Sequence, residues 1–158
     1  MHSPCSEVAS TISVVIPTYN RSQVLQQVLP SYLASPLVKE VIIVDDAGTD
    51  DTPENLKKLM RHDSRIVYLR NEDNRGAPYS RNRGANQGSA DWVLQSEDDL
   101  ALGPDCLETL IAHAEATKAD IIAGRRVWMR LGETQEQALA RANLNQRPLF
   151  NEWLMDHN

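Results

Sequence analysis

Cysteine is almost missing from this chain. Cys5 and Cys106 are the two present in 158 residues, and they lie far apart. They fit no metal-ligand spacing, which excludes a thiolate zinc site, and free thiols in a reducing compartment are the simpler account. Long apolar runs are lacking too: none approaches membrane-spanning length, and residues 1–11 have no signal-peptide core. That leader is expected to be a loose tail, and a cytoplasmic location follows as an expectation. Basic charge is in deficit, with 16 Lys and Arg against 22 Asp and Glu, net −6, which argues against nucleic acid as a partner. The four histidines, His2, His62, His113 and His157, form no metal spacing. No internal repeat, low-complexity segment or second-domain boundary is visible. What remains is ordinary: 41% hydrophobic and 24% charged residues, in a length that suits one compact domain with a core.

An anionic ligand would therefore need local help, and one stretch offers it. Trp92-Val93-Leu94-Gln95-Ser96 is a short apolar segment that ends in Glu97-Asp98-Asp99. Clustered carboxylates repel one another unless a cation or hydrogen-bond donors compensate. Mg2+ and Mn2+ prefer such oxygen ligands, usually one or two carboxylates plus substrate phosphates. A metal–diphosphate site at a strand end is one reading; a solvated acidic turn is the plain alternative.

The rest of the chain alternates strands and helices. Ile12–Ile16, Val41–Val44, Ile66–Leu69 and Trp92–Ser96 read as strands, and Ile121–Gly124 as a fifth, continued by 127–129 after a bend. The first helix carries Val24, Leu25, Val28, Leu29, Tyr32 and Leu33 on one face. Asn20 or Ser22 can cap it, and Pro30 predicts a kink or an early end. Thr52-Pro53-Glu54 opens a second helix with Leu56, Leu59 and Met60 buried, and Asp50 and Asp51 read as caps. Residues 77–88 predict a helix of small residues that lies close on a sheet, and 103–114 a further helix. From about Glu133 the chain is helix-prone, and Leu149, Phe150, Trp153 and Leu154 need a partner surface. This order predicts an α/β fold: a Rossmann-like, mostly parallel sheet with helices on both faces and right-handed crossovers. Ligands bind at the carboxyl ends of such strands, where the loops 17–21, 45–51 and 97–99 all fall.

Ser13-Val14-Val15-Ile16-Pro17-Thr18-Tyr19-Asn20-Arg21, Val44-Asp45-Asp46, Arg81-Asn82-Arg83-Gly84 and Glu97-Asp98-Asp99 occur in this order. Together they resemble the nucleotide-sugar-binding half of glycosyltransferase family 2, a GT-A fold, over roughly residues 11–125. The resemblance implies transfer of a sugar from a nucleoside-diphosphate donor, a UDP-sugar above all, with inversion, to a glycan or lipid-linked acceptor. It implies Pro17, Thr18, Tyr19 and Asn20 at the base pocket, Asp45 on a base N–H, and Arg81 near ribose or phosphates. It further implies Asp98 on ribose or sugar hydroxyls, and Asp99 with Glu97 on Mn2+ or Mg2+. Glu97 stands where the family commonly has Asp.

The domain expectation is a leader at 1–11, a nucleotide-sugar-binding domain at 12–130, and a helical segment at 131–158 that starts an acceptor region. None of the acids after Asp99 sits in a segment resembling the family's acceptor-side motif, so the catalytic base is expected to be absent. The chain then reads as an incomplete piece of a longer enzyme, peripheral at the inner membrane face in that parent, or as a short relative. A missing C-terminal region or a homo-oligomer would cover Leu149 to Leu154. A noncatalytic donor-binding or assembly module is the rival reading. A sugar nucleotidyltransferase fits less well, because its first loop is Gly-rich and Pro17-Thr18-Tyr19-Asn20 has no glycine. A receiver domain would need an Asp after strand three and a Lys after strand five, where this chain has Arg70-Asn71 and Arg125-Arg126.

Overall fold

The β-branched run at the start of the chain forms β1 (Ile12–Thr18), buried throughout except at Pro17, as a central parallel strand requires. A computed structural model describes residues 10–124, 126–127, 129–130 and 133–144. Three further strands, β2 (Val38–Asp45), β3 (Ile66–Arg70) and β4 (Trp92–Gln95), complete a sheet in the order β3-β2-β1-β4, every pair parallel. The helices are α1 (Ser22–Leu33), α2 (Thr52–Met60), α3 (Ala77–Gln87), α4 (Cys106–Thr117) and α5 (Gln135–Leu144). The chain divides into two compact units, one ending at Ile121 and one beginning at Ile122. In the second, Arg141 pairs with Glu133 at 2.9 Å beside α5.

Side chains alternate faces along each strand, and the two faces receive different helices. Ile12, Val14, Ile16, Val41 and Ile43 pack with Leu25 and Leu29 of α1, Leu56 of α2, and Leu107 and Ile111 of α4. Val15, Ile42 and Val44 point the other way, beneath α3. The path steps from β1 to β2 to β3 across α1 and α2, then returns through α3 to place β4 beyond β1. The strand order therefore reverses between β1 and β4, and the crevice at their carboxyl ends is where such sheets bind ligands.

Helix α3 buries little of its own, so its contact depends on closeness. A Cβ on Gly84 would run into the side chain of Val15 and come within 3.2 Å of Val44 Cγ2. Pro30 does not end α1 early: the helix runs on to Leu33, and the Ala34 N–H still reaches the Pro30 carbonyl at 3.0 Å. The predicted apolar stripes are narrower than the pattern suggests, since Val24 and Met60 are exposed.

The expected fifth strand is absent among the described residues: 121–124 adopt no strand, and Ile121 is 89% exposed. An apolar pair becomes strand only where another strand's edge takes its hydrogen bonds. Among the described residues β4 pairs with β1 alone. Leu149 to Leu154 and residues 1–9 of the leader lie outside the described residues. No helix among those described is long and apolar enough to cross a membrane.

Replacing Gly84 with Ala should raise helix propensity by about 1 kcal/mol yet still destabilise the protein, by about 1–3 kcal/mol net, through overpacking against Val15. Urea unfolding checks this: the midpoint should fall at constant slope.

Candidate functional site

The end of β1 is locked to the loop after β2 by reciprocal polar contacts. Asn20 takes a left-handed backbone conformation (φ 54°), which Asn tolerates better than most residues, and this turns its side chain across to the neighbouring loop. Its Oδ1 accepts from the Thr49 N–H at 2.6 Å and the Asp50 N–H at 3.2 Å. Asp50 answers by accepting from the Ser22 N–H at 2.9 Å and the Thr52 N–H at 3.2 Å, so one carboxylate serves the starts of both α1 and α2. Asp50 does this from the residue before the N-cap of α2, whereas Asp51, which occupies the N-cap position, makes no side-chain cap bond, contrary to expectation. Neither Asn20 nor Ser22 caps α1 with its own side chain.

The acid loop after β4 is held from three sides. Tyr32, fully buried on α1, donates its hydroxyl to the Leu100 carbonyl at 2.6 Å and pairs with the Ser96 hydroxyl at 2.6 Å. Burial pushes this phenol up to about 12, so it stays a neutral donor. Arg81 on α3 donates to the Ser96 carbonyl at 2.7 Å and faces Glu97 at 3.5 Å. Thr18 at the tip of β1 donates to Asp98 Oδ2 at 2.9 Å. Arg21 reaches both Asp98 (3.2 Å) and Asp99 (2.8 Å), and those two acids hold its guanidinium above the ordinary range, the Asp98 charge foremost.

Between these elements lies a cavity of about 360 Å3, lined by Pro17, Thr18, Tyr19, Arg21, Asp46, Ala77, Arg81, Glu97, Asp98 and Asp99. Seven of these ten are residues to which the sequence points. Tyr19 is 48% exposed, a flat ring at the mouth. Asp45 and Asn20 are placed differently. Asp45 is fully buried, outside the lining, with its carboxylate taken by the Gly48 N–H (2.7 Å), the Tyr68 hydroxyl (2.8 Å) and Arg70 (2.7 Å). Burial, with the Asp45 charge adding, pushes Tyr68 up to about 12. Asn20 is engaged as the loop staple described above.

Asp46, Arg21 and Ala77 are the lining residues that the sequence does not single out as site residues. Alternation was the available signal for Asp46: Val41, Ile43 and Asp45 share one face of β2, whereas Ile42 and Val44 face α3, which carries Arg81. Asp46 continues that second series. Its oxygens accept from Asn71 (2.6 Å) and from the N–H groups of Arg75 (3.0 Å) and Gly76 (2.7 Å) at the start of α3. Burial opposes its ionisation, yet these donors together hold its pKa below the usual carboxylate value.

A family model described as glycosyl transferase family 2 matches residues 13–155. The chain belongs to that family. The glycosyltransferase GlyG of Streptococcus pneumoniae serotype 4 is 28% identical over 118 residues, 74% of this chain and 39% of that protein. A Campylobacter jejuni GalNAc(5)-diNAcBac-PP-undecaprenol beta-1,3-glucosyltransferase is 31% identical over 112 residues, 70% of this chain and 36% of that protein. Among solved structures, S. aureus TarS 1-349 in complex with UDP-GlcNAc shares 27% identity at a TM-score of 0.64, over 75% of this chain and 37% of that one. The chain therefore spans less than two fifths of the length of these relatives. The fold is the GT-A fold of that family.

The donor set bears on the metal. No three His, Cys, Asp or Glu side chains converge into a cage among the described residues. A divalent ion bound through a diphosphate needs only one or two carboxylates, and Asp99 and Glu97 at the cavity wall fit that requirement.

Asp46, Asp50 and Glu40 all have folded pKa values below their ordinary ones, despite burial, because several donors reach each carboxylate. Such groups stabilise the fold fully above the unfolded pKa, about 4, and that contribution is lost as pH falls through the lower folded value. Unfolding free energy should be flat from neutrality to about pH 5 and decline below about 4. In Asp46→Asn the decline should be shallower, as read by denaturant melts across pH.

Proposed function

We propose that this chain is the donor-binding part of a glycosyltransferase that takes a UDP-sugar and passes the sugar, with inversion, to a hydroxyl of a glycan or lipid-linked acceptor. The observation that carries the proposal is the convergence of Tyr19, Asp46, Arg81, Asp98 and Asp99 on one cavity at the strand reversal. The TarS complexes with UDP and UDP-GlcNAc support the uridine donor, and the undecaprenol-linked substrate in the Campylobacter enzyme's name supports a lipid-linked acceptor. An acceptor of that kind would bring the parent enzyme to a membrane surface.

In this reading the uracil ring lies against Tyr19, a stacking platform worth about 1–3 kcal/mol per base. Asp46, kept ionised by its loop donors, takes the base N–H in place of the buried Asp45. Asp98, already fixed by Thr18, accepts from ribose or sugar hydroxyls. Arg81, braced on the Ser96 carbonyl, stands beside the phosphates. Asp99, with Glu97, would hold Mn2+ or Mg2+, which when bound offsets the negative charge that builds on the departing diphosphate.

Transfer breaks the bond between the anomeric carbon and the diphosphate oxygen and forms one to the acceptor oxygen, whose proton must go to a base. The acids around the cavity all have partners. Asp46 is held by its loop, Asp98 by Thr18 and Arg21, Asp99 by Arg21, and Glu97 faces Arg81. Beyond the cavity, Glu108 accepts from Ser35 and Glu115 from Ser10, while Glu133, paired with Arg141, is held down to about 2. We assign the base to an acceptor region outside the described residues.

Thermal unfolding with UDP, GDP and CDP, each with and without Mn2+, tests this. UDP with Mn2+ at 100 times its dissociation constant should add about 2.7 kcal/mol. Asp99→Asn should lose the metal-dependent part and keep the part due to UDP alone. Equal responses to all three nucleotides would sink the uridine assignment, and no response to any would sink the site.

A further inference from the structure

Arg21 holds two of the cavity's acids at once. A single nitrogen, Nη1, lies 3.2 Å from Asp98 Oδ1 and 2.8 Å from Asp99 Oδ2. Two carboxylates so close need a positive charge between them, and here a side chain provides it. The arrangement is asymmetric. Asp98 is nearly buried and has Thr18 as a second partner, whereas Arg21 and Asp99 are each about half exposed, at 52% and 51%. An exposed pair of this kind is weak and readily remade, and the long guanidinium arm can leave without disturbing the backbone. Arg21 also borders the same cavity as Tyr19 and Arg81, so a released guanidinium remains within a space that would hold a diphosphate, whose oxygens it can grip in pairs.

On the metal–diphosphate reading given above, we propose that Arg21 is the resident counter-ion of Asp98 and Asp99, exchanged for the divalent cation when a nucleoside diphosphate binds. The exchange couples the two ligands. A metal arriving alone must evict Arg21 and leave it with no anion. A metal arriving with a diphosphate evicts it onto a new anion. Nucleotide therefore raises metal affinity by more than its own phosphate ligands supply, and by linkage the metal raises nucleotide affinity equally. Arg21 is in this sense a positioning residue that sets the order of loading.

Removing the guanidinium should move the two affinities in opposite directions, which simple structural damage does not do. Binding of Mn2+ to the full chain, followed through the electron paramagnetic resonance of the free ion, separates them. Without nucleotide, Arg21→Gln should bind Mn2+ about three- to fivefold tighter than wild type, the range set by one exposed ion pair. The extra Mn2+ affinity conferred by UDP should shrink by about fivefold or more. Arg21→Lys, which keeps the charge but not the paired grip, should bind Mn2+ near wild type without nucleotide, and far-ultraviolet circular dichroism confirms that each variant is folded. The Arg21 Nε–H resonance, followed with Mg2+ in place of Mn2+, should shift when Mg2+ and UDP are added together and not in Asp99→Asn. Equal or weaker nucleotide-free Mn2+ binding by Arg21→Gln, or an unmoved Arg21 resonance, overturns the exchange while leaving the donor site intact. Failure of wild type to take up Mn2+ even with UDP overturns both the exchange and the metal site beneath it.

Discussion

Everything at the cavity depends on bringing two strand ends side by side that are far apart in the chain. Hydrogen bonding of β4 to β1 sets Gln95 opposite Val15 and carries the Ser96 N–H to the Val15 carbonyl, so that two residues further on Asp98 meets the Thr18 hydroxyl across the join. That contact sits where the sheet reverses its order. On one side the path has climbed through α1 and α2; on the other it has come back through α3. A gap between diverging connections cannot be filled by either, so polar groups at the two tips face open space rather than packed side chains.

Negative charge is then concentrated in that gap, and the surrounding structure accommodates it with donors of two kinds. Backbone N–H groups and neutral side chains serve the acids that must not move: Asp46 through the start of α3, Asp50 through the starts of α1 and α2. Guanidinium groups serve the acids nearer the opening, Arg21 for Asp98 and Asp99 and Arg81 for Glu97. The first kind is rigid because it is made of backbone. The second can change partners, which suits a ligand that brings its own charges.

The sequence carries most of this arrangement, and its failures are instructive. Continuous β-branched runs located β1 to β3, and the small-residue helix at 77–88 foretold the close contact at Gly84. The apolar pair Ile121-Ile122 looked equally strand-like, but a strand is a relation between two segments, and its own residues say nothing of a partner. Asp45 and Asp46 posed a different problem. Both follow the same strand, and only the side on which α3 lies decides which carboxylate meets the cavity. Tyr68 and Arg70, which claim Asp45, come from β3, more than twenty residues on. Arg21 could have been noticed as a basic residue in a loop bound for an acid cluster. Its place between two of those acids is a matter of distance, which no local pattern encodes.

The intimacy of α3 with the sheet has an effect on charge as well as on packing. Arg81 leaves the helix one turn before Gly84, so the standoff at that glycine governs how far the guanidinium hangs over the Ser96 carbonyl. A hydrogen atom in place of a methyl lets the helix axis settle low, and a cation is thereby lowered onto the loop of acids. The smallest side chain in the protein acts as a spacer that sets the height of one of its working charges.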